Sequence, residues 1–208
     1  MRMHVVLDPF LSTAEDWQLH VTTRRMVTRP QYRAFCAANP ELRVELNAKG
    51  ELIVMAPAHS RSGFQNSELS GELRAWAQRD GSGRAFDSST GFDLPDGSNL
   101  SPDASWVSKV RLSQLTAEQK EEYFALCPDF VAELRSKSDR LPQLQAKMQE
   151  YMANGAQLGW LIDPVERRVS IYRPGQPVLV LEEPATVSGD PVLPGFVLDL
   201  GAIWHPDL

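Results

Sequence analysis

Apolar positions along the chain recur at two spacings, near 3.6 and near 2, and the changes between them mark its elements. In VTRPQYRAFCAANP, Tyr32 and Phe35 lie at helical spacing, Pro30 suits a first turn and Asn39-Pro40 stops the run, which predicts a short helix. LRVELNAKGELIVMAP alternates on both sides of Lys49-Gly50, predicting a hairpin with strands near 42–46 and 51–56. SGFQNSELSGELRAWAQRDGSG then sets Leu69, Leu73, Trp76 and Ala77 on one face, with Gly81 placed to cap it, so a helix is expected near 64–80. Strands are expected around 84–88, 90–94 and 104–108, followed by a polar helical connector in LTAEQKEEYF.

Beyond the connector, DFVAELRS reads as a strand. RLPQLQAKMQEYMANG carries Leu141, Leu144, Met148, Tyr151 and Met152 on one stripe, predicting a helix near 140–154 closed by Asn154-Gly155. LGWLID and VSIYRP flank PVERR as a second hairpin, and PVLVLEE and GFVLDL supply further apolar strands. Interleaved helices and strands of this kind predict an α/β (α+β) fold with a central mixed sheet flanked by helices and additional hairpins. The expected organisation is an N-terminal extension over 1–26 and a single domain over 27–208.

Within DFVAELRS the alternation is interrupted by charge. Residues two apart in a strand share a face, so Phe130, Ala132 and Leu134 form one side and Val131, Glu133 and Arg135 the other. A carboxylate in the middle of an apolar strand is costly unless it has an arginine, a metal or a proton for company. Either Arg135 pairs with Glu133 on a half-solvated strand, or Glu133 belongs to a site. Asp103, in SPDASWV, enters the 104–108 strand and reads either as a turn residue or as a second member of that site. Acids carried by two strands can converge at one end of a sheet, where their oxygens suit a hard divalent cation.

Composition narrows the field. The chain has 208 residues, 42% hydrophobic and 23% charged, as in ordinary globular proteins. No apolar run reaches the roughly 18–20 residues that span a bilayer, and the opening MRMHVVLDPF is broken by Asp8 and Pro9, so a cytoplasmic protein with no membrane partner is expected. Cys36 and Cys127 are far apart and the four histidines are scattered, which excludes a disulfide framework and a zinc cluster. Net charge is −6, yet five acids and no Lys or Arg lie between Pro174 and Leu208; the remainder holds 21 basic against 22 acidic residues. Nucleic acid is therefore permitted as a partner. A glycosidase acid pair would need a cleft rich in exposed aromatics, whereas most of the five tryptophans sit in core-like patterns.

The stretch from SPDASWV through CPDFVAELRSKSDRLPQLQAKMQEYMANGAQLGWLIDP resembles the Uma-two family (domain of unknown function 820), from about Val27 to Trp204. That family is placed in the PD-(D/E)XK restriction-endonuclease-like superfamily. The resemblance implies a restriction-endonuclease-like core and a Mg2+- or Mn2+-dependent endonuclease acting on DNA, with a catalytically inactive DNA-binding or protein-interaction module as the alternative. It implies Asp103 and Glu133 as metal ligands, with Glu45 as a further ligand or water-holder. Arg135 stands where the superfamily usually has lysine, and arginine is a poor group for activating water because it does not give up its proton. Arg135 would instead face phosphate, and Lys147, one helical turn before Tyr151, is the candidate to replace the motif lysine. The alternative for Lys147 is a boundary residue laying its stem along an apolar face. A homodimer is expected, its interface built from the C-terminal apolar strands.

Overall fold

The structure, a computed structural model, describes residues 26–208 and the strand β1 (Leu19–Val21); the rest of the expected N-terminal extension lies outside the described residues. Helix α1 (Arg29–Ala38) starts with Pro30 in its first turn and ends at Asn39. The hairpin β2 (Arg43–Leu46) and β3 (Leu52–Met55) follows, then the long helix α2 (Ser60–Asp80). Gly81 ends α2 in the left-handed conformation, φ 75°, a backbone region that glycine enters without penalty. Strands β4 (Gly83–Asp87), β5 (Phe92–Asp93), β6 (Asn99–Leu100) and β7 (Ala104–Ser108) come next. A short helix α3 (Lys109–Ser113) follows β7 directly, and the connector contains a second, α4 (Ala117–Glu121). Strand β8 (Phe130–Leu134), helix α5 (Leu141–Ala153) and strand β9 (Leu158–Asp163) form a β-α-β unit, and β10 (Arg168–Tyr172) and β11 (Leu179–Glu182) extend it. The chain closes with β12 (Thr186–Ser188), β13 (Val197–Asp199) and α6 (Gly201–Trp204).

The central sheet runs β11-β10-β9-β8-β7-β4. It is mixed: β8 and β9 are parallel and every other pair is antiparallel. A second, antiparallel sheet runs β1-β3-β2-β6-β5, and β12 and β13 pair as a ribbon. The central mixed sheet flanked by helices is as expected, and the additional hairpins take the form of this second sheet, the β12–β13 ribbon and α6. The strands that separate the sheets, β5 and β6, are two residues long, too short to show a period of their own.

The two faces of β8 divide as its alternation predicts. Phe130, Ala132 and Leu134 join Leu69, Leu73 and Trp76 of α2, together with Trp160, Ile162 and Phe196. Trp160 is fully buried, meeting Phe130 edge-on at 4.8 Å and stacking on Phe196 at 5.7 Å. Side chains of this size contribute about 1.5–3 kcal/mol each when removed from water. Val131 faces the other way, against Met148 and Tyr151 of α5. Gly159 on β9 lets α5 lie close, because a Cβ there would come within 2.5 Å of Met148 Cε. Four of the expected five tryptophans are described, and Trp76, Trp106 and Trp160 are core residues. Cys127 is buried and Cys36 half-buried. No helix among the described residues is long and apolar enough to cross a membrane.

Candidate active site

Glu133 is the one charged residue of β8, and every residue of that strand is buried. It points to the α5 face, where the helical period delivers Lys147 and, one turn later, Tyr151. Tyr151 donates its hydroxyl to Glu133 Oε1 at 3.0 Å, and Lys147 Nζ lies 2.9 Å from the same oxygen. Lys147 also reaches Glu45 Oε1 on β2, again at 2.9 Å. The side chains of Glu45 and Glu133 are 4% and 5% exposed, and that of Lys147 is 17% exposed. Glu45 Oε1 receives a further hydrogen bond from the backbone N–H of Ser101, 2.7 Å away. An ammonium group thus lies between two buried carboxylates carried by different sheets.

Asp103 enters from the turn before β7. The β7–β8 register pairs Ala104 with Ala132, and its continuation places Asp103 opposite Glu133. The Leu134 N–H donates to Asp103 Oδ2 at 2.8 Å, and Asn66 Nδ2 of α2 donates to Oδ1 at 3.1 Å. These two donors fix the carboxylate at the sheet end next to Glu133.

Burial dominates the electrostatics. It raises Glu133 to about 8; the Lys147 charge pulls the other way, while Asp103 and Glu45 add to the rise. Asp103 is raised by burial too, against the Leu134 N–H and the Lys147 charge. Burial disfavours the Lys147 ammonium, but the facing Glu133 and Glu45 carboxylates outweigh it and hold the group protonated well above its ordinary range. Tyr151 is raised by burial and by Glu133, so it remains a hydrogen-bond donor.

Four of the five residues singled out from the sequence therefore come together: Glu45, Asp103, Glu133 and Lys147. Arg135 takes another partner. Strand β8 ends at Leu134, and the Arg135 guanidinium bonds Asp163 Oδ2 of β9 at 2.7 Å, while Asp163 also accepts the N–H groups of Val165 and Glu166. Arg135 thus links β8 to the β9–β10 turn, and its carboxylate partner is Asp163, not the neighbouring Glu133. Sequence reasoning passed over Asn66, the donor role of Tyr151 and the Ser101 amide. Asn66 had a visible signal, since it shares the helical stripe of Leu69, Leu73 and Trp76 and is polar where they are apolar.

The oxygens of Glu45, Asp103 and Glu133 are hard donors of the kind Mg2+ takes, and the Lys147 ammonium already places one positive charge among them. Among the described residues no three His, Cys, Asp or Glu side chains stand as a ready metal cage, in keeping with Lys147 lying between two of the acids.

No curated protein matches the chain. It is similar to a crystal structure described as a "putative nuclease belonging to DUF820 from Anabaena variabilis ATCC 29413", at 24% identity and a TM-score of 0.68, covering 79% of this chain and 90% of that one. The two share the fold, a restriction-endonuclease-like arrangement of a mixed sheet between helices. A DrdV–DNA complex aligns at 16% identity and a TM-score of 0.36, over 58% of this chain and 10% of that one. Residues 29–201 match the Uma2 family, described as "Putative restriction endonuclease", and the chain belongs to that family.

Proposed function

We propose that this protein is a Mg2+- or Mn2+-dependent endonuclease that hydrolyses phosphodiester bonds in DNA. The observation that carries the reading is the Lys147 ammonium held between Glu45 and Glu133, with Asp103 opposite Glu133 in the strand register. Glu45, Asp103 and Glu133 would hold the metal. When bound, the cation supplies an activated water and neutralises charge developing on the phosphate. Asn66 and the Leu134 N–H orient Asp103, and Tyr151 orients Glu133. Lys147, held in its charged form, stabilises negative charge on the phosphate and does not act as the base. Arg135 keeps β8 and the β9–β10 turn in register and stays off the substrate.

The active unit we infer is one domain over 27–208, working as a cytoplasmic homodimer. The dimer reading rests on the C-terminal strands: Leu179 and Val180 on the edge strand β11, and Val197 on β13, are about half exposed.

The test is nicking and linearisation of supercoiled plasmid DNA by the full chain in Mg2+, Mn2+ or EDTA. Cleavage that needs the cation and disappears in Asp103→Asn and Glu133→Gln supports the reading. A wild-type protein that leaves the plasmid intact in both cations, or a Glu133→Gln variant that cuts as well as wild type, would overturn it.

A further inference from the structure

Beside the acid centre the surface opens into a cleft of about 850 Å3, within the range of pockets that take a ligand the size of a nucleotide. Its link to the acids is Ser101, which lines the cleft and whose N–H binds Glu45. Arg43, also in the lining, lies two residues before Glu45 on β2. The opposite wall is aromatic, with half-buried Phe86, Tyr123 and Phe124. Tyr123 leans on Tyr32 at 6.0 Å between ring centres.

Three cations stand in the lining: Arg33, Arg43 and Lys120. Arg33 is committed to Asp93 at 2.6 Å and approaches Glu122 at 4.0 Å, which engages one of the two acids at the mouth. Arg43 gives a hydrogen bond to the Ser88 carbonyl, and neither it nor Lys120 has a carboxylate within ion-pair distance among the described residues. Two cations with no close ion pair, Arg43 feeling only the more distant Asp87 carboxylate, beside a partly open aromatic wall match what a nucleic-acid strand offers, a charged backbone and flat bases. A duplex is too wide to enter such a cleft, whereas a base swung out of the stack or a single strand fits.

We propose that this cleft is a subsite for an unpaired nucleotide of the DNA strand whose phosphate lies at the acid centre. Tyr123 stacks on the base, while Arg43 and Lys120 hold its phosphates. The proposal rests on the nuclease reading for the identity of the neighbouring site, and its own test does not need cleavage.

That test is fluorescence anisotropy of a fluorescein-labelled oligothymidine with the full chain in EDTA, against the same label on a blunt duplex. Wild type should prefer the single strand. Tyr123→Ala should weaken its binding by about 5- to 150-fold, the range for losing one stacked base. Tyr123→Phe should bind like wild type, which separates stacking from loss of fold. Lys120→Glu changes an exposed residue and should weaken binding and flatten its salt dependence. Equal affinity for single strand and duplex, or Tyr123→Ala and Lys120→Glu variants that bind as wild type does, would overturn the subsite. Plasmid cleavage separates the two readings: cleavage with unchanged oligonucleotide binding in the variants removes the subsite alone. Loss of binding in the variants of a protein that never cuts removes the nuclease alone.

Discussion

Replacing Lys147 with methionine tests whether the ammonium is the internal counter-ion of the acid centre. Methionine keeps most of the stem and its packing, and removes the charge. In the wild type that charge faces Glu45 and Glu133 at 2.9 Å, and both carboxylates are at least 95% buried. Removing one partner from such a pair leaves buried charge without compensation, at a cost of about 3–5 kcal/mol. For a chain of this size that corresponds to a fall in melting temperature of roughly 6–20 °C. The loss should be largest above pH 8 and smaller near pH 5.5, where Glu133 can take up a proton. Mn2+ or Mg2+ should restore stability, because the cation replaces the missing charge; at a hundred times its dissociation constant it contributes about 2.7 kcal/mol. The cation-dependent shift should exceed that of wild type, in which the metal must compete with the ammonium for the same oxygens. Differential scanning fluorimetry of both proteins in EDTA and over a titration of Mn2+ reads all of this. Were Lys147 only a boundary lysine lying along α5, the variant would melt with wild type and respond to cation no more strongly. That pattern would refute the counter-ion argument.

Three further outcomes follow from the same geometry. In metal-free protein the folded-state value for Glu133, about 8, lies above its ordinary 4.5; the neutral form is favoured on folding, so this stability is fully present below about pH 4.5 and is lost as pH rises through 8. Melting in EDTA between pH 5 and 8.5 should therefore fall more steeply for wild type than for Glu133→Gln, and parallel curves would contradict it. Arg135→Ala should lose about 1–3 kcal/mol through the abandoned Asp163 carboxylate yet keep the Mn2+ shift, whereas a variant of wild-type stability that no longer cuts plasmid would return Arg135 to the reaction. Val180→Lys should halve the mass seen by light scattering while the circular dichroism of the fold is kept, with a lower melting temperature as the partner is lost, and an unchanged mass would move the dimer interface away from β11.

How much of this was legible beforehand depended on the range of each interaction. Helices α2 and α5 and strand β8 carry enough residues to display a period, so their faces could be assigned, and Glu133 stood out as a charge where the period demanded an apolar side chain. Lys147, beside the α5 stripe, was named through the family resemblance, and Tyr151 was placed on that stripe without its role as donor to Glu133. Arg135 shows the limit of the same-face rule, which holds only while the strand continues. Once β8 ends at Leu134, the guanidinium is free to turn to Asp163, 28 residues away. Asn66 was visible only as a polar interruption of an apolar stripe, because its partner Asp103 lies 37 residues along the chain.

The part hidden most completely is also the part that assembles the site. Strands β5 and β6 are two residues each, and no periodicity can be read from two residues, so the chain gave no sign that β2 and β3 leave the central sheet for one of their own. Without that separation Glu45 would be one more charge in a hairpin. With it, β2 pairs with β6 through Leu46 and Asn99, Ser101 follows directly after β6, and its N–H holds Glu45. Pro102 and Asp103 then carry the chain across into β7 of the central sheet. The six residues from Asn99 to Ala104 join β6 of the second sheet to β7 of the central one through the acid centre. Exchanging Ser101 for proline tests that route, since it deletes the N–H bonded to Glu45 without removing a site side chain. The expected result is weaker Mn2+ binding by isothermal titration with the central core still folded. A Ser101→Pro protein that binds the cation as wild type does would show that Glu45 is positioned by Lys147 alone.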